Sequence, residues 1–222
     1  MNTPIFTYSV IAITTIASFI GFSNQNLLKK TVFSVYAIIK KKEIHRFITS
    51  LFFHVNLAHL FFNMYSYYSF GTFIEKSFGI KLAAVIYIYS ALGGGIVALL
   101  INRKNPDYSA VGASGAVCGV IFASIFLLPG GSVIVFPLPV PIPSWVYAVI
   151  FMAISLFGIG RSGSRIGHEA HAGGALMGML WAVFYKPSIL STNPLLLAGL
   201  TIPTIALLVY FTINNRDKNY KT

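Results

Sequence analysis

Charged side chains are scarce in this sequence: Asp, Glu, Lys and Arg make up 9% of its 222 residues, and only five are acidic. A soluble domain carries about 25%, so this chain lacks the polar surface that would let water dissolve it. With 56% hydrophobic residues and a mean hydropathy of +0.76, its expected solvent is the lipid bilayer. Cysteine occurs once, at Cys118, which excludes an internal disulfide and a thiolate zinc cluster. The zinc-protease pattern H-E-x-x-H is also missing. His168-Glu169-Ala170-His171 is one residue too short, and His54 and His59 bring no ligand carboxylate, so no metal is expected. In a polar protein a net charge of +11 would suit nucleic acid. In so apolar a chain it suits loops lying against anionic lipid headgroups, and no nucleic-acid partner is expected.

What the sequence does contain is a succession of apolar runs, each near the roughly 17–25 residues that cross a bilayer as a helix. The first, Pro4 to Phe22, has too little positive charge ahead of it and no small-residue cleavage site behind it for a signal peptide; a retained helix is expected. Leu27 to Arg46 mixes basic and apolar residues, with Lys40-Lys41-Lys42, and reads as an interfacial segment. Further spans are expected at about Asn56–Ile74, with Gly71 and Glu75-Lys76 marking its exit, at Leu82–Ile101 and at Val111–Leu128. Pro129-Gly130-Gly131 ends the fourth, and Pro137, Pro139, Pro141 and Pro143 keep the next linker extended. A short fifth span, Ser144–Ile159, precedes a small loop, Arg161–Gly167. A sixth follows at His168–Tyr185 and a seventh at about Pro194–Phe211, with a basic tail from Arg216 to Thr222. The expected fold is all-α: a polytopic membrane helix bundle forming a single domain over 1–222, with a six-helix core at about 1–186 and a C-terminal seventh helix at about 190–213.

Ionisable and polar groups are costly in hydrocarbon and are functional candidates there. His59 and Asn63 are four apart, so they share one helix face. Ser114 lies near the start of the fourth span and His171 near the start of the sixth. Spans two, four and six run in the same direction, which puts all four residues at similar depth. The small residues agree with this placement. Gly115 and Gly119 form one small-xxx-small pair and Gly174 and Gly178 another, and His171 falls on the Gly174–Gly178 stripe. If the two glycine faces pack together, an imidazole at the top of the seam can reach the Ser114 hydroxyl, as a nucleophile and its base require. His59, the Asn63 amide and the Ser114 backbone N–H could supply donors to an oxyanion. Glu169 stands two residues from His171, on nearly the opposite helix face, so the pattern reads as a dyad and not a triad. Plainer readings exist for each residue alone. A serine among glycines is commonly a packing contact, a membrane histidine can be structural, and His54 reads as a loop-packing group.

Three stretches taken together resemble the rhomboid family of intramembrane serine proteases. They are Gly112-Ala113-Ser114-Gly115, the run His54-Val55-Asn56-Leu57-Ala58-His59-Leu60-Phe61-Phe62-Asn63, and Ala170-His171-Ala172-Gly173-Gly174 with Gly178. The resemblance implies a rhomboid-like core of six helices plus one, with Ser114 as nucleophile, His171 as general base and His59, Asn63 and the Ser114 N–H as oxyanion donors. It also implies cleavage of transmembrane protein substrates in the bilayer without cofactor or metal, and residence as a multi-pass protein in the cell (inner) membrane. The chain departs from the family pattern at His45-Arg46, where Trp-Arg is common, and at Cys118, where a Tyr or Phe often stacks on the histidine. Membrane orientation divides the expectations. Of the Lys and Arg residues, 13 lie on the side that bears the first loop and Ser114, and 3 lie opposite. The positive-inside rule puts that side in the cytoplasm, whereas the resemblance implies a site opening outward. A catalytically silent relative that binds transmembrane helices is the alternative function. A transporter would need a polar path across the membrane, and the polar groups gather at one depth instead.

Overall fold

Helix α7, Ser114–Leu127, is the axis of the molecule, and all 14 of its residues are buried. In a computed structural model, which describes residues 3–135, 138–157 and 167–218, other helices make up the rest of the bundle. They are α1 (Ile5–Ser23), α2 (Gln25–Thr31), α3 (Val35–Lys40), α4 (Arg46–Thr49), α5 (Leu57–Phe78), α6 (Ile80–Asn102), α8 (Ser144–Phe157), α9 (His168–Tyr185), α10 (Ile189–Thr192) and α11 (Pro194–Lys218). The protein is an all-α membrane bundle, and each expected span coincides with a helix. The last residues of the fifth span and the loop at 158–166 lie outside the described residues, as do Pro137 and the tail from 219 on.

Length separates the outer helices from the inner ones. Three helical stretches, Ile5–Ser23, Ile80–Asn102 and Pro194–Ile213, are long and apolar enough to cross a membrane alone. Arg46–Phe52 and Leu57–Phe78 would make a fourth if taken together, across a bend of 97°. At 14 residues, α7 is only about 21 Å long, short of a hydrocarbon core about 30 Å thick. It can be short because protein, not lipid, surrounds it.

Close packing around α7 depends on glycine. A Cβ on Gly174 would collide with the Gly115 carbonyl, one on Gly178 with the Gly119 carbonyl, and one on Gly119 with the Ser90 hydroxyl. The α7–α9 seam is thus backbone against backbone over two turns, the small-residue packing expected from the sequence. A third small-residue contact sets α6 against α9, where a Cβ on Gly94 would lie 2.5 Å from the Ala170 carbonyl oxygen.

Three features differ from the sequence reading. Glu75, expected at a membrane exit, is buried, and α5 runs on to Phe78. Its carboxylate accepts from the backbone N–H of Phe6 (2.9 Å) and Thr7 (2.8 Å) and from the Thr7 hydroxyl (2.7 Å). Pro4 gives α1 no side-chain cap, so Glu75 caps it from a neighbouring helix and meets the positive end of its dipole. Secondly, the first loop is a folded unit with a packed interior of its own, which its irregular mix of lysines and apolar residues did not announce. Leu28, Val32, Phe33, Val35 and Ile38 are buried, and the Arg46 guanidinium donates to the carbonyls of Val32 (2.8 Å) and Lys29 (3.1 Å). Arg46 also donates to Glu43 at 2.6 Å, which holds that carboxyl below its ordinary pKa. Thirdly, the proline-rich linker is one arm of a hairpin. Strand β3 (Ser132–Val135) pairs antiparallel with β4 (Leu138–Pro143), Val133 opposite Ile142. The alternating prolines leave their missing N–H groups on one edge of that arm.

The seam makes a paired prediction. Gly178→Ala should destabilise the bundle by about 2 kcal/mol or more, because the methyl group can be admitted only by separating α7 from α9. Gly199→Ala on α11, where an added Cβ meets nothing within 4 Å, should be neutral or slightly stabilising. Thermal unfolding in detergent, read by circular dichroism, compares the two.

Candidate active site

The segment before α7 is built to deliver Ser114. Strand β1 (Phe33–Ser34) pairs with β2 (Ser109–Ala110), tying the first loop to the residues that lead into Gly112. Gly112 has φ +125°, a conformation that L side chains rarely adopt, and its N–H donates to the Ser50 carbonyl at 3.0 Å. The chain reverses there, and Ser114 opens the helix with its hydroxyl turned toward α9. His171 sits one turn into α9, its N–H donating to the Gly167 carbonyl. Its Nε2 lies 2.5 Å from the Ser114 Oγ. Both residues are buried, at 7% and 4% exposure. A neutral imidazole in that contact can accept the hydroxyl proton as the oxygen attacks, which is the geometry of general-base activation.

His59 stands on the other side of the serine. Asn56 caps α5 by accepting the His59 N–H at 2.8 Å, which fixes the first turn of the helix. The imidazole then lies over Gly112, where a Cβ would be 2.7 Å from its Cε1 and 3.0 Å from its Nε2. Gly112 is therefore required twice, by its backbone angle and by the ring above it. Asn63 follows one turn later, and its Nδ2 donates to the His59 carbonyl at 2.9 Å. One amide hydrogen remains, while the His59 Nδ1 and Asn63 Oδ1 are buried without a partner among the described residues. Polar groups left idle in a folded interior suggest a ligand that completes them.

Two contacts were not legible as such. His54 is fully buried, with Nε2 3.5 Å from the Ala113 N–H and Nδ1 3.0 Å from the Ser18 Oγ. The Ser18 hydroxyl donates to the Phe52 carbonyl at 3.1 Å, so the consistent tautomer carries its proton on Nδ1 and accepts from Ala113 on Nε2. This chain links α1 to the peptide just before Ser114. His54 does pack a loop, as its position suggested, and that loop is the one leading into Ser114. Ser18, 36 residues away in an apolar span, carries no sequence signal of the contact. The second contact is with Phe151 of α8, whose ring lies 5.9 Å from that of His171 at 54°.

The other marked residues fall where their spacing put them. Gly115, Gly119, Gly174 and Gly178 form the seam, and Cys118 is buried one turn beyond Ser114. Glu169 faces away from the site and accepts a hydrogen bond from the Tyr108 hydroxyl at 3.0 Å. Burial, with that carboxylate beside it, pushes the Tyr108 hydroxyl well above its ordinary pKa, so it remains a donor. Behind Ser114 lies a cavity of about 40 Å³ bounded by Phe47, Ser50, Gly112, Gly115 and Ala170, large enough to admit a water molecule.

This arrangement joins a serine–histidine pair to a glycine seam in a helical bundle. A family model described as the Rhomboid domain matches residues 41–188, about two thirds of the chain and every part of this site except Ser18 and strand β1. The chain belongs to the rhomboid family. Among known proteins it is similar to the RHOMBOID-like protein 12, mitochondrial, of Arabidopsis thaliana, with 27% identity covering 73% of this chain and 53% of that one. It is likewise similar to the Rhomboid protease AarA of Providencia stuartii, with 30% identity covering 78% of this chain and 66% of that one. The Inactive RHOMBOID-like protein 8 of Arabidopsis thaliana is 34% identical over 40% of this chain and 25% of its own length. The rhomboid chain thus spans from a quarter to two thirds of these relatives.

The Ser18–His54 support gives a test independent of chemistry. Ser18→Ala leaves a buried ring nitrogen and a carbonyl without their partner and should cost about 1–2 kcal/mol. Thermal melting would measure it, and hydrogen exchange should show the Ala113 amide losing protection before the core of α7.

Proposed function

We propose that this rhomboid protein is an intramembrane serine endopeptidase that cleaves transmembrane segments of membrane-protein substrates. The observation that carries the proposal is the contact between the His171 Nε2 and the Ser114 Oγ. Ser114 Oγ attacks the scissile carbonyl carbon while His171 takes its proton. The carbonyl oxygen gains negative charge and is met by the Ser114 N–H, the free Asn63 amide hydrogen and the His59 ring. The intermediate collapses as His171 returns the proton to the leaving amine, and an acyl-enzyme remains. Water, deprotonated by His171, then attacks the ester, restoring the serine and releasing the carboxylate product. No carboxylate is needed to complete this cycle, consistent with Glu169 being engaged by Tyr108.

The bilayer restricts the substrate. A transmembrane helix shields each scissile carbonyl in its own hydrogen-bond ladder, so the favoured substrates have Gly or Pro near the cleavage point, where unwinding costs least. The same proposal places the protein in the cell (inner) membrane with the site opening outward. The family likeness carries that orientation against the excess of Lys and Arg on the site's own side. The competing reading, a silent relative that only binds helices, has a precedent in the inactive relative named above; the Ser114–His171 contact favours the enzyme.

Purified wild-type protein should cut a model transmembrane substrate and take up a fluorophosphonate at Ser114. Ser114→Ala and His171→Ala should each reduce cleavage by at least about a thousandfold, and Asn63→Ala by about a hundredfold with little change in KM. Undiminished cleavage by Ser114→Ala would overturn the assignment, and lack of both cleavage and labelling in the wild type would favour the silent reading.

A further inference from the structure

We propose that Phe151 on α8 helps to hold the His171 imidazole in its reactive plane, an inference that rests on the dyad reading above. From α7, the position facing the site one turn beyond Ser114 is Cys118, whose buried side chain offers no ring. The described rings against His171 are those of Phe151, at 5.9 Å and 54°, and of His168 on its own helix, at 6.1 Å and 83°. His168 shares the backbone of α9 and moves with His171, so it cannot fix the imidazole relative to α7. Phe151 can, because it comes from a separate element that is itself held in place.

That element is anchored one turn earlier. Tyr147, four residues before Phe151, shares a hydrogen bond of 2.6 Å with Ser66 of α5, and its ring lies 5.3 Å from Phe70 of the same helix. Tyr147 and Phe151 in turn lie 6.2 Å apart. A continuous series therefore runs from Phe70 on α5 through Tyr147 and Phe151 to His171. Tilted aromatic contacts of this kind resist rotation of either ring, since turning one plane loses contact with the other. His171 must present Nε2 to the Ser114 hydroxyl, and a rotation about its side-chain bonds would take that nitrogen away. Phe151 is a positioning residue: it touches the base and not the substrate's reacting atoms.

The test uses the full chain in detergent with a small fluorophosphonate, whose reaction with Ser114 needs an oriented base but no transmembrane substrate. Phe151→Leu keeps apolar bulk and removes the ring; Phe151→Tyr keeps the ring. Phe151→Leu should label about three- to tenfold more slowly than wild type, with unchanged thermal melting, and Phe151→Tyr should label at nearly the wild-type rate. On a model substrate, Phe151→Leu should lower kcat and leave KM unchanged. Labelling by Phe151→Leu at or above the wild-type rate, or an equal loss in both variants, would overturn the inference while leaving the dyad intact. Wild-type labelling that persists in Ser114→Ala would overturn the dyad reading, and this inference with it.

Discussion

Everything at the site depends on the backbone-to-backbone contact of α7 and α9. Ser114 and His171 lie on different helices, 57 residues apart, and meet because Gly115 and Gly119 face Gly174 and Gly178 with no side chain between them. Association of helices in lipid gains little from hydrophobic burial, since lipid chains are as apolar as leucine, so close packing and polar contacts must hold the bundle. The seam supplies the packing and leaves the polar contact at its upper end. A larger residue at Gly174 or Gly178 would collide with the backbone of α7 and separate the axes by more than the tolerance of one hydrogen bond.

A second layer holds Ser114 from the opposite side. The Gly112 turn is tied to Ser50 by a backbone hydrogen bond, overlain by His59 and backed by the His54–Ser18 pair from α1. The first loop, closed by Arg46 on the carbonyls of Lys29 and Val32, covers this turn through the short β1–β2 ladder. Glu75 performs the matching task at the far end of α1, where its three hydrogen bonds secure that helix to α5. Helix α1 is thus fastened at both ends, by a carboxylate below and a histidine–serine pair above.

How much of this the sequence discloses follows from the range of each signal. Periodicity places helices, and small-residue spacing identifies a seam, so the contact of Ser114 with His171 at the end of that seam was legible in the sequence. Contacts between helices with no common spacing were not. Glu75 reads as an exit signal because an isolated acid in an apolar run belongs in water; only the uncapped start of α1 turns it into a buried acceptor. Leu27 to Arg46 reads as interfacial because its lysines and apolar residues alternate irregularly, and the Arg46 anchor depends on carbonyls, which no side chain announces. Cys118 places no ring one turn beyond Ser114, and nothing in the sequence pointed to the Phe151 ring that lies beside His171.

The shortness of α7 reconciles the proposed hydrolysis with a lipid environment. A helix about 21 Å long cannot reach both surfaces of a hydrocarbon layer about 30 Å thick, so one or both of its ends must lie below the headgroups. Ser114 is at one of those ends, beneath the first loop and beside a cavity that admits water. The outer helices α1, α6 and α11 are long enough to meet lipid over its full thickness, and they allow the inner one to be short. Depth for the serine and access for water come from the same mismatch in helix length, and the glycine seam makes it possible by letting α7 bury every residue against protein.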